Sequence, residues 1–131
     1  MDVKQTSLLG GKKVFINNGK KNTNLSPKEF AKKVTDFGAG EILINSIDKD
    51  GTLKNYDISL AKEIKYSTNI PISILGGAGS LEDIKMIIKA VGLIGCSAGS
   101  IFVFKGKYRA VLIQYPNKIE KENLFNSAYN N

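Results

Sequence analysis

The sequence predicts an α/β fold, a parallel sheet with flanking helices. Three observations predict it. Short β-rich runs alternate with helical segments at a spacing of roughly 25 to 30 residues per unit, the length of a strand–helix–strand step. Two of the helical segments open on capping-box signatures, Ser26-Pro27-Lys28-Glu29 and Ser80-Leu81-Glu82-Asp83. Each strand-like run ends at glycine or Asx residues. Strands that alternate with helices imply parallel pairing through right-handed crossovers.

Taken in order, Val3 and Lys13-Val14-Phe15-Ile16 are two short extended pieces, the second closed by the turn signal Asn17-Asn18-Gly19. Ser26 then caps a helix with Pro27 at its first position and Phe30, Ala31 and Val34 on one face, ending near Gly38. Glu41 to Ser46 reads as a buried strand. A helix from about Ile58 to Ser67 carries Leu60, Ala61 and Ile64 on its apolar face. Ile70 to Leu75 is the next strand, stopped by Gly76-Gly77-Ala78-Gly79. A third helix turns Ile84, Ile87, Ile88 and Val91 inward. Leu93 to Ser97 is a last strand, followed by an extended run at Ala110 to Gln114 and a polar tail from about residue 115.

Composition narrows the function. The chain of 131 residues holds one modest core and no second full domain. Nineteen basic residues, with Arg109 the single arginine, against twelve acidic ones leave a charge of +7. The lysines are spread along the chain without interleaved aromatics or a helix-turn-helix pattern, so nucleic acid is not an expected partner. The apolar stretch from Ile87 to Val103 is broken by Lys89, Gly92, Gly95 and Ser97, so no membrane span is expected. No secretory leader is read at Met1-Asp2-Val3-Lys4. Cys96 is the one cysteine, which excludes an internal disulfide and fits a reduced, cytoplasmic setting. There is no histidine, which removes His-based triads and His metal sites and leaves Asp, Glu, Lys, Ser and Tyr for proton chemistry.

The chemically suggestive clusters all fall where a parallel strand ends: Asn45 to Thr52, Gly76 to Ser80, and Ala98 to Ser100. Ligands of such sheets bind outside the carboxyl ends of the strands. Gly76-Gly77-Ala78-Gly79 lets backbone N–H groups approach an anion at a helix N-terminus, or is a plain tight turn. Ser97-Ala98-Gly99-Ser100 is a second small-residue turn, and the two together favour a phosphate. Asp48-Lys49-Asp50-Gly51-Thr52 begins like a calcium loop. Leu53 and Ser59, however, stand where that loop requires glycine and glutamate. It reads instead as a substrate-orienting loop, or an Asx-rich turn. No metal or other cofactor is expected. On local grounds Asp2 is a solvated terminus, Cys96 a small core residue, and the pairs Lys12-Lys13, Lys20-Lys21 and Lys32-Lys33 solvated faces.

Gly38-Ala39-Gly40-Glu41-Ile42-Leu43, Ser46-Ile47-Asp48-Lys49-Asp50-Gly51-Thr52, Gly76-Gly77-Ala78-Gly79-Ser80 and Ala98-Gly99-Ser100-Ile101-Phe102 together resemble the cyclase subunit of imidazole glycerol phosphate synthase. That family is a (β/α)8 TIM barrel of histidine biosynthesis. The resemblance runs from Met1 to about Phe104 and covers the C-terminal half of the barrel, strands five to eight. It implies a reaction in which ammonia, delivered by a glutaminase subunit, cleaves a phosphorylated nucleotide and closes an imidazole ring. It makes Asp2 one of two catalytic aspartates, against its local reading. It puts one substrate phosphate on Gly76, Gly77, Gly99 and Ser100, and makes Asp50, Gly51 and Thr52 the loop over the substrate. It places Glu41 where ammonia enters the barrel, and Gly19-Lys20-Lys21-Asn22-Thr23 between strand five and its helix.

Three departures accompany the resemblance. Asn45 stands where the family usually has threonine, Asn55 replaces the glycine of Gly-Tyr-Asp, and the segment from Phe102 to Ile113 looks more like paralogues associated with surface-polysaccharide genes. Those are thought to direct ammonia into amidation of a nucleotide sugar, which is the alternative reading. A further alternative is a non-catalytic phosphate-binding half-barrel or a gene fragment. A half-barrel leaves two open sheet edges and an exposed inner face. The expectation for residues 1–131 is therefore a single half-barrel domain that associates with an N-terminal half or with itself, with little turnover alone.

Overall fold

A computed structural model describes residues 1–7 and 11–129. In chain order these form β1 (Asp2–Ser7), β2 (Gly11–Ile16), β3 (Lys21–Asn22), α1 (Pro27–Asp36), β4 (Ile42–Ser46), α2 (Ile58–Lys65), β5 (Ile72–Leu75) and α3 (Leu81–Val91). After them come β6 (Gly95–Cys96), α4 (Ser100–Val103), β7 (Phe104–Lys105), β8 (Ala110–Val111) and α5 (Lys118–Tyr129).

The main sheet has the order β3-β2-β1-β4-β5-β6. Strands β1, β4, β5 and β6 are parallel neighbours in sequence order, as alternating strands and helices predict. Because the strand order never reverses, right-handed crossovers leave α1, α2 and α3 on one face of the sheet. The core lies there. Val3, Ile42, Ile44, Ile72 and Ile74 pack toward Leu60, Ile64, Ile87 and Ile88 in one buried cluster. The alternate residues look the other way, as the two-residue period of a strand requires. Asp2, Asn45 and Leu75 lie level on that second face by register, and so do Leu43, Ser73 and Gly95. Leu43 is 45% exposed there, so this face lies open among the described residues.

Local chemistry explains the boundaries. Ser26 and Ser80 each accept the backbone N–H three residues on, and Glu29 and Asp83 return the bond to the cap. Asn17, Asn18 and Gly19 all take positive φ and turn β2 into β3, an antiparallel extension that the sequence indicated only as far as its turn. The last parallel strand is shorter than the expected Leu93 to Ser97, because β6 is an edge with a ladder to β5 alone.

Two expectations are corrected. The polar tail after about residue 115 is largely α5, which packs on α3. Its start is capped reciprocally: Glu120 donates its N–H to Asn117 Oδ1 (3.0 Å), and Asn117 donates its N–H to Glu120 Oε2 (2.7 Å). The extended run beginning at Ala110 contributes only Ala110 and Val111, paired with β7 in a small hairpin. No helix among the described residues is long and apolar enough to cross a membrane.

Candidate functional site

The carboxyl ends of β4, β5 and β6 converge on a cleft of about 110 Å³ lined by Asp50, Gly51, Gly76, Gly77, Gly99 and Ser100. Two of the sequence clusters supply its floor and the β4–α2 loop supplies its wall. That loop folds on itself first. Asp50 donates its N–H to the Ser46 carbonyl (3.0 Å), and Thr52 Oγ1 donates to the Lys49 carbonyl (2.7 Å). Thr52 is therefore spent on the turn and does not line the cleft. Asp48 is also committed, since its Oδ2 accepts the N–H of Gln5 (2.7 Å).

The glycine turn has a structural reason beside any ligand. A Cβ at Gly76 would lie 2.6 Å from the Ser46 carbonyl, and one at Gly79 would lie 2.5 Å from the Leu53 carbonyl. A Cβ at Gly77 would run into the Asn55 carbonyl. The wall thus rests directly on the floor at three points. Leu53 and Asn55 reach these contacts with φ of 57° and 69°. Asparagine tolerates that region better than most residues, which suits Asn55 to this position. Gly99 is different: a Cβ there meets nothing within 4 Å.

Tyr56 ties the wall to the last strand. It is buried, and its hydroxyl donates to the Ser97 carbonyl (2.9 Å). Burial raises its pKa far above the ordinary tyrosine value, with smaller contributions from Cys96 and Asp83, so it stays a donor. The turn after β5 is closed on its helix side, where Asp83 Oδ2 accepts the N–H groups of Gly79 (2.7 Å) and Ser80 (3.2 Å). The turn after β6 has no such closure, since Gly99 precedes α4 with no side-chain cap. The N–H groups of Gly79 and Ser80 are thus used within the α3 cap. Burial pushes the Cys96 thiol up to about 11, so it remains protonated near neutral pH.

Asp2 and Asn45 form the second part of the site, two strands from the glycine turn. Asn45 Nδ2 donates to Asp2 Oδ1 (3.1 Å). The Asn45 amide thus presents its nitrogen to the Asp2 carboxyl group. Asn45 Oδ1 then points to a buried position without a partner. Asp2 is partly exposed on the open face of the sheet, not a fully solvated terminus. Glu41 is not brought to the cleft. It precedes β4 at the amino end and accepts a hydrogen bond from Ser73 Oγ.

Lys12, expected on a solvated face, instead pairs with Asp57. Its Nζ lies 2.7 Å from Asp57 Oδ2 and donates to Oδ1 at 2.8 Å, while Asp57 also caps α2 by accepting the Leu60 N–H (3.0 Å). No local signal links residues 45 positions apart. The pair fastens the β1–β2 hairpin to the end of the wall. Burial raises the Asp57 pKa, but hydrogen bonds from Lys12, Leu60 and Ser59 outweigh it and hold the carboxyl below its ordinary value. The charged form is thus favoured on folding. Its stabilisation is present above about pH 4 and is lost as pH falls below that. Asp57→Asn keeps a good cap and is expected to lower stability by about 1 kcal/mol at pH 7 and by little near pH 3. Urea unfolding at the two pH values checks this.

The profile of the histidine biosynthesis protein family matches residues 1–109. A Leptospira interrogans protein, provisionally named imidazole glycerol phosphate synthase subunit HisF, is 50% identical over 125 residues, covering 95% of this chain and 49% of that protein. A Vibrio vulnificus protein provisionally named as subunit hisF3 is 44% identical over 123 residues, 93% of this chain and 47% of its own length. The imidazole glycerol phosphate synthase subunit HisF of Hydrogenobaculum is 50% identical over 92 residues, 70% of this chain and 36% of its own. The chain spans about half the length of the curated relatives it matches. With a match across most of its residues, the chain belongs to the histidine biosynthesis protein family.

Proposed function

We propose that this chain is the C-terminal half of the barrel of a cyclase subunit of imidazole glycerol phosphate synthase. In this reading ammonia is joined to the sugar-derived part of a phosphorylated nucleotide substrate, the aminoimidazole nucleotide is split off as the leaving group, and the imidazole ring closes in the same site. The observation that carries the reading is the pairing of Asp2 with Asn45 on the open face, beside a glycine-lined cleft at the carboxyl ends of the strands. Asp2 is the proton-transferring group, Asn45 its positioning neighbour, and the cleft the seat of one substrate phosphate. Asp50 and Gly51 close the cleft from above. Glu41 lies at the opposite, amino end of β4, where ammonia from a glutaminase partner would enter.

The sequential order of β1, β4, β5 and β6 supports a barrel, because a sheet wound in one direction leaves one face free to close on itself. Four parallel strands are half of eight, so the active enzyme needs the complementary four, on the same polypeptide or another. The unpaired Cys96 supports a cytoplasmic setting. The test is to assemble the chain with the N-terminal half of a family barrel and supply an ammonium salt. Ammonia-dependent release of the aminoimidazole product is expected from the assembly, and background rate from residues 1–131 alone. Full turnover by the 131-residue chain alone would overturn the half-barrel reading; no turnover from a folded assembly would overturn the cyclase reading.

A second reading has one specific observation behind it. A match of 125 of the 131 residues necessarily runs through the tail, and that relative carries a provisional name, whereas the Hydrogenobaculum subunit matches over 92 residues. Together with Asn45 this favours a paralogue that amidates a nucleotide sugar. An assembly that turns over a nucleotide sugar but fails to rescue a histidine auxotroph would establish it.

A further inference from the structure

Ser97 is held at both of its backbone groups. Its N–H donates to the Ile74 carbonyl (2.8 Å), extending the ladder between β5 and β6, and its carbonyl accepts from the Tyr56 hydroxyl (2.9 Å). A peptide unit is planar and trans, so its C=O and the N–H that follows point in opposite directions. The bond from Tyr56 therefore fixes the direction of the Ala98 N–H as well, which points away from Tyr56. Tyr56 is buried and does not line the glycine-bordered cleft, whereas Ser97 and Ala98 do. Among the described residues no other side chain bonds the backbone of this turn: Gly99 opens α4 without a side-chain cap, and the space beside its Cα is empty. The turn after β5 is different, being seated on the β4–α2 loop at three points and closed by Asp83. The turn after β6 takes its orientation from one hydroxyl.

We infer that Tyr56 is a positioning residue for the cleft: its hydroxyl keeps the Ser97 carbonyl turned away from the cleft and the Ala98 N–H turned toward it. The turn then offers an anion a donor and not an acceptor. A reversed peptide would put the partial negative charge of the Ser97 carbonyl at the same place and repel a phosphate. A donor held in advance needs no reorganisation when the ligand arrives. Tyr56 also stands at the end of the β4–α2 loop, immediately before the Asp57 cap of α2, so the same bond joins the cleft's wall to the seat of the anion. The inference rests on the phosphate reading of the cleft, and the experiment reads the two apart.

The test is a titration of the ¹⁵N-labelled 131-residue chain with inorganic phosphate at constant ionic strength, with sodium chloride as the control. In the parent, saturable downfield shifts are expected at the Ala98 amide as well as at Gly76 and Gly77. Tyr56→Phe keeps the ring and removes the hydroxyl. It should weaken phosphate binding about tenfold or more, the scale of one hydrogen bond to a charged oxygen. Asp57→Asn, a neighbouring change that costs stability without touching the turn, should leave the affinity unchanged. Equal affinity in the parent and Tyr56→Phe, or an equal loss in Asp57→Asn, overturns the role of Tyr56 and leaves the phosphate reading standing. Saturable shifts at Gly76 and Gly77 that leave out Ala98 do the same, and that result needs no variant to fold. If neither turn shows saturable shifts, or chloride reproduces them, the phosphate reading and the role of Tyr56 fall together.

Discussion

In a completed barrel, Asp2→Asn is expected to lower ammonia-dependent turnover by about three orders of magnitude, the scale of a lost general acid or base. The effect should fall on kcat with KM nearly unchanged, because the substitution leaves the glycine-lined cleft as it is. The substitution is a clean one for a geometric reason. Asn45 donates its amide nitrogen to Asp2 Oδ1, and the carbonyl of an asparagine at position 2 can accept the same bond. The pair keeps its shape and loses only the ability to exchange a proton. A variant that retains turnover within tenfold of the parent would remove Asp2 from the chemistry. A variant that loses stability and turnover together would show that the pair acts as a structural fastening of β1 to β4.

The sequence shows local causes well and distant ones poorly. Ser26 with Glu29, and Ser80 with Asp83, were readable because a cap and its partner are three residues apart. The core faces of β4 and β5 were readable because Ile42, Ile44, Ile72 and Ile74 sit in apolar runs bounded by glycine or proline. Helix α5 leaves a weak mark in the sequence because Ile119, Leu124, Phe125 and Ala128 do not form a single apolar stripe. Only Asn117 with Glu120 marks its start. The ion pair of Lys12 with Asp57 left no trace in the sequence, because nothing local ties a hairpin lysine to a helix cap 45 residues on. The candidate site was legible as a set of strand ends. What was not legible is that Thr52 and Asp48 are consumed within the fold, and that the glycine turn meets protein backbone as well as open space.

That last distinction gives the largest expected effect on stability. Gly77 and Gly99 line the same cleft and read alike in the sequence, yet they carry different constraints. Gly77 has φ of +102°, and a Cβ there would run into the Asn55 carbonyl, a backbone atom that cannot swing away. Strain in that region of backbone space costs about 1–3 kcal/mol, and overpacking adds a similar amount. Gly77→Ala is therefore expected to lose about 3 kcal/mol or more, a large share of the stability of a small domain. Gly99 has an ordinary negative φ of −113° and open space around its Cα, so Gly99→Ala should stay within about 0.5 kcal/mol of the parent. Urea midpoints of the two variants measure the difference. If Gly99→Ala leaves stability intact but weakens phosphate binding, the space beside Gly99 is ligand space. If it changes neither, the glycine pattern of the cleft reflects the seating of the β4–α2 loop, and the phosphate must be sought elsewhere on the open face.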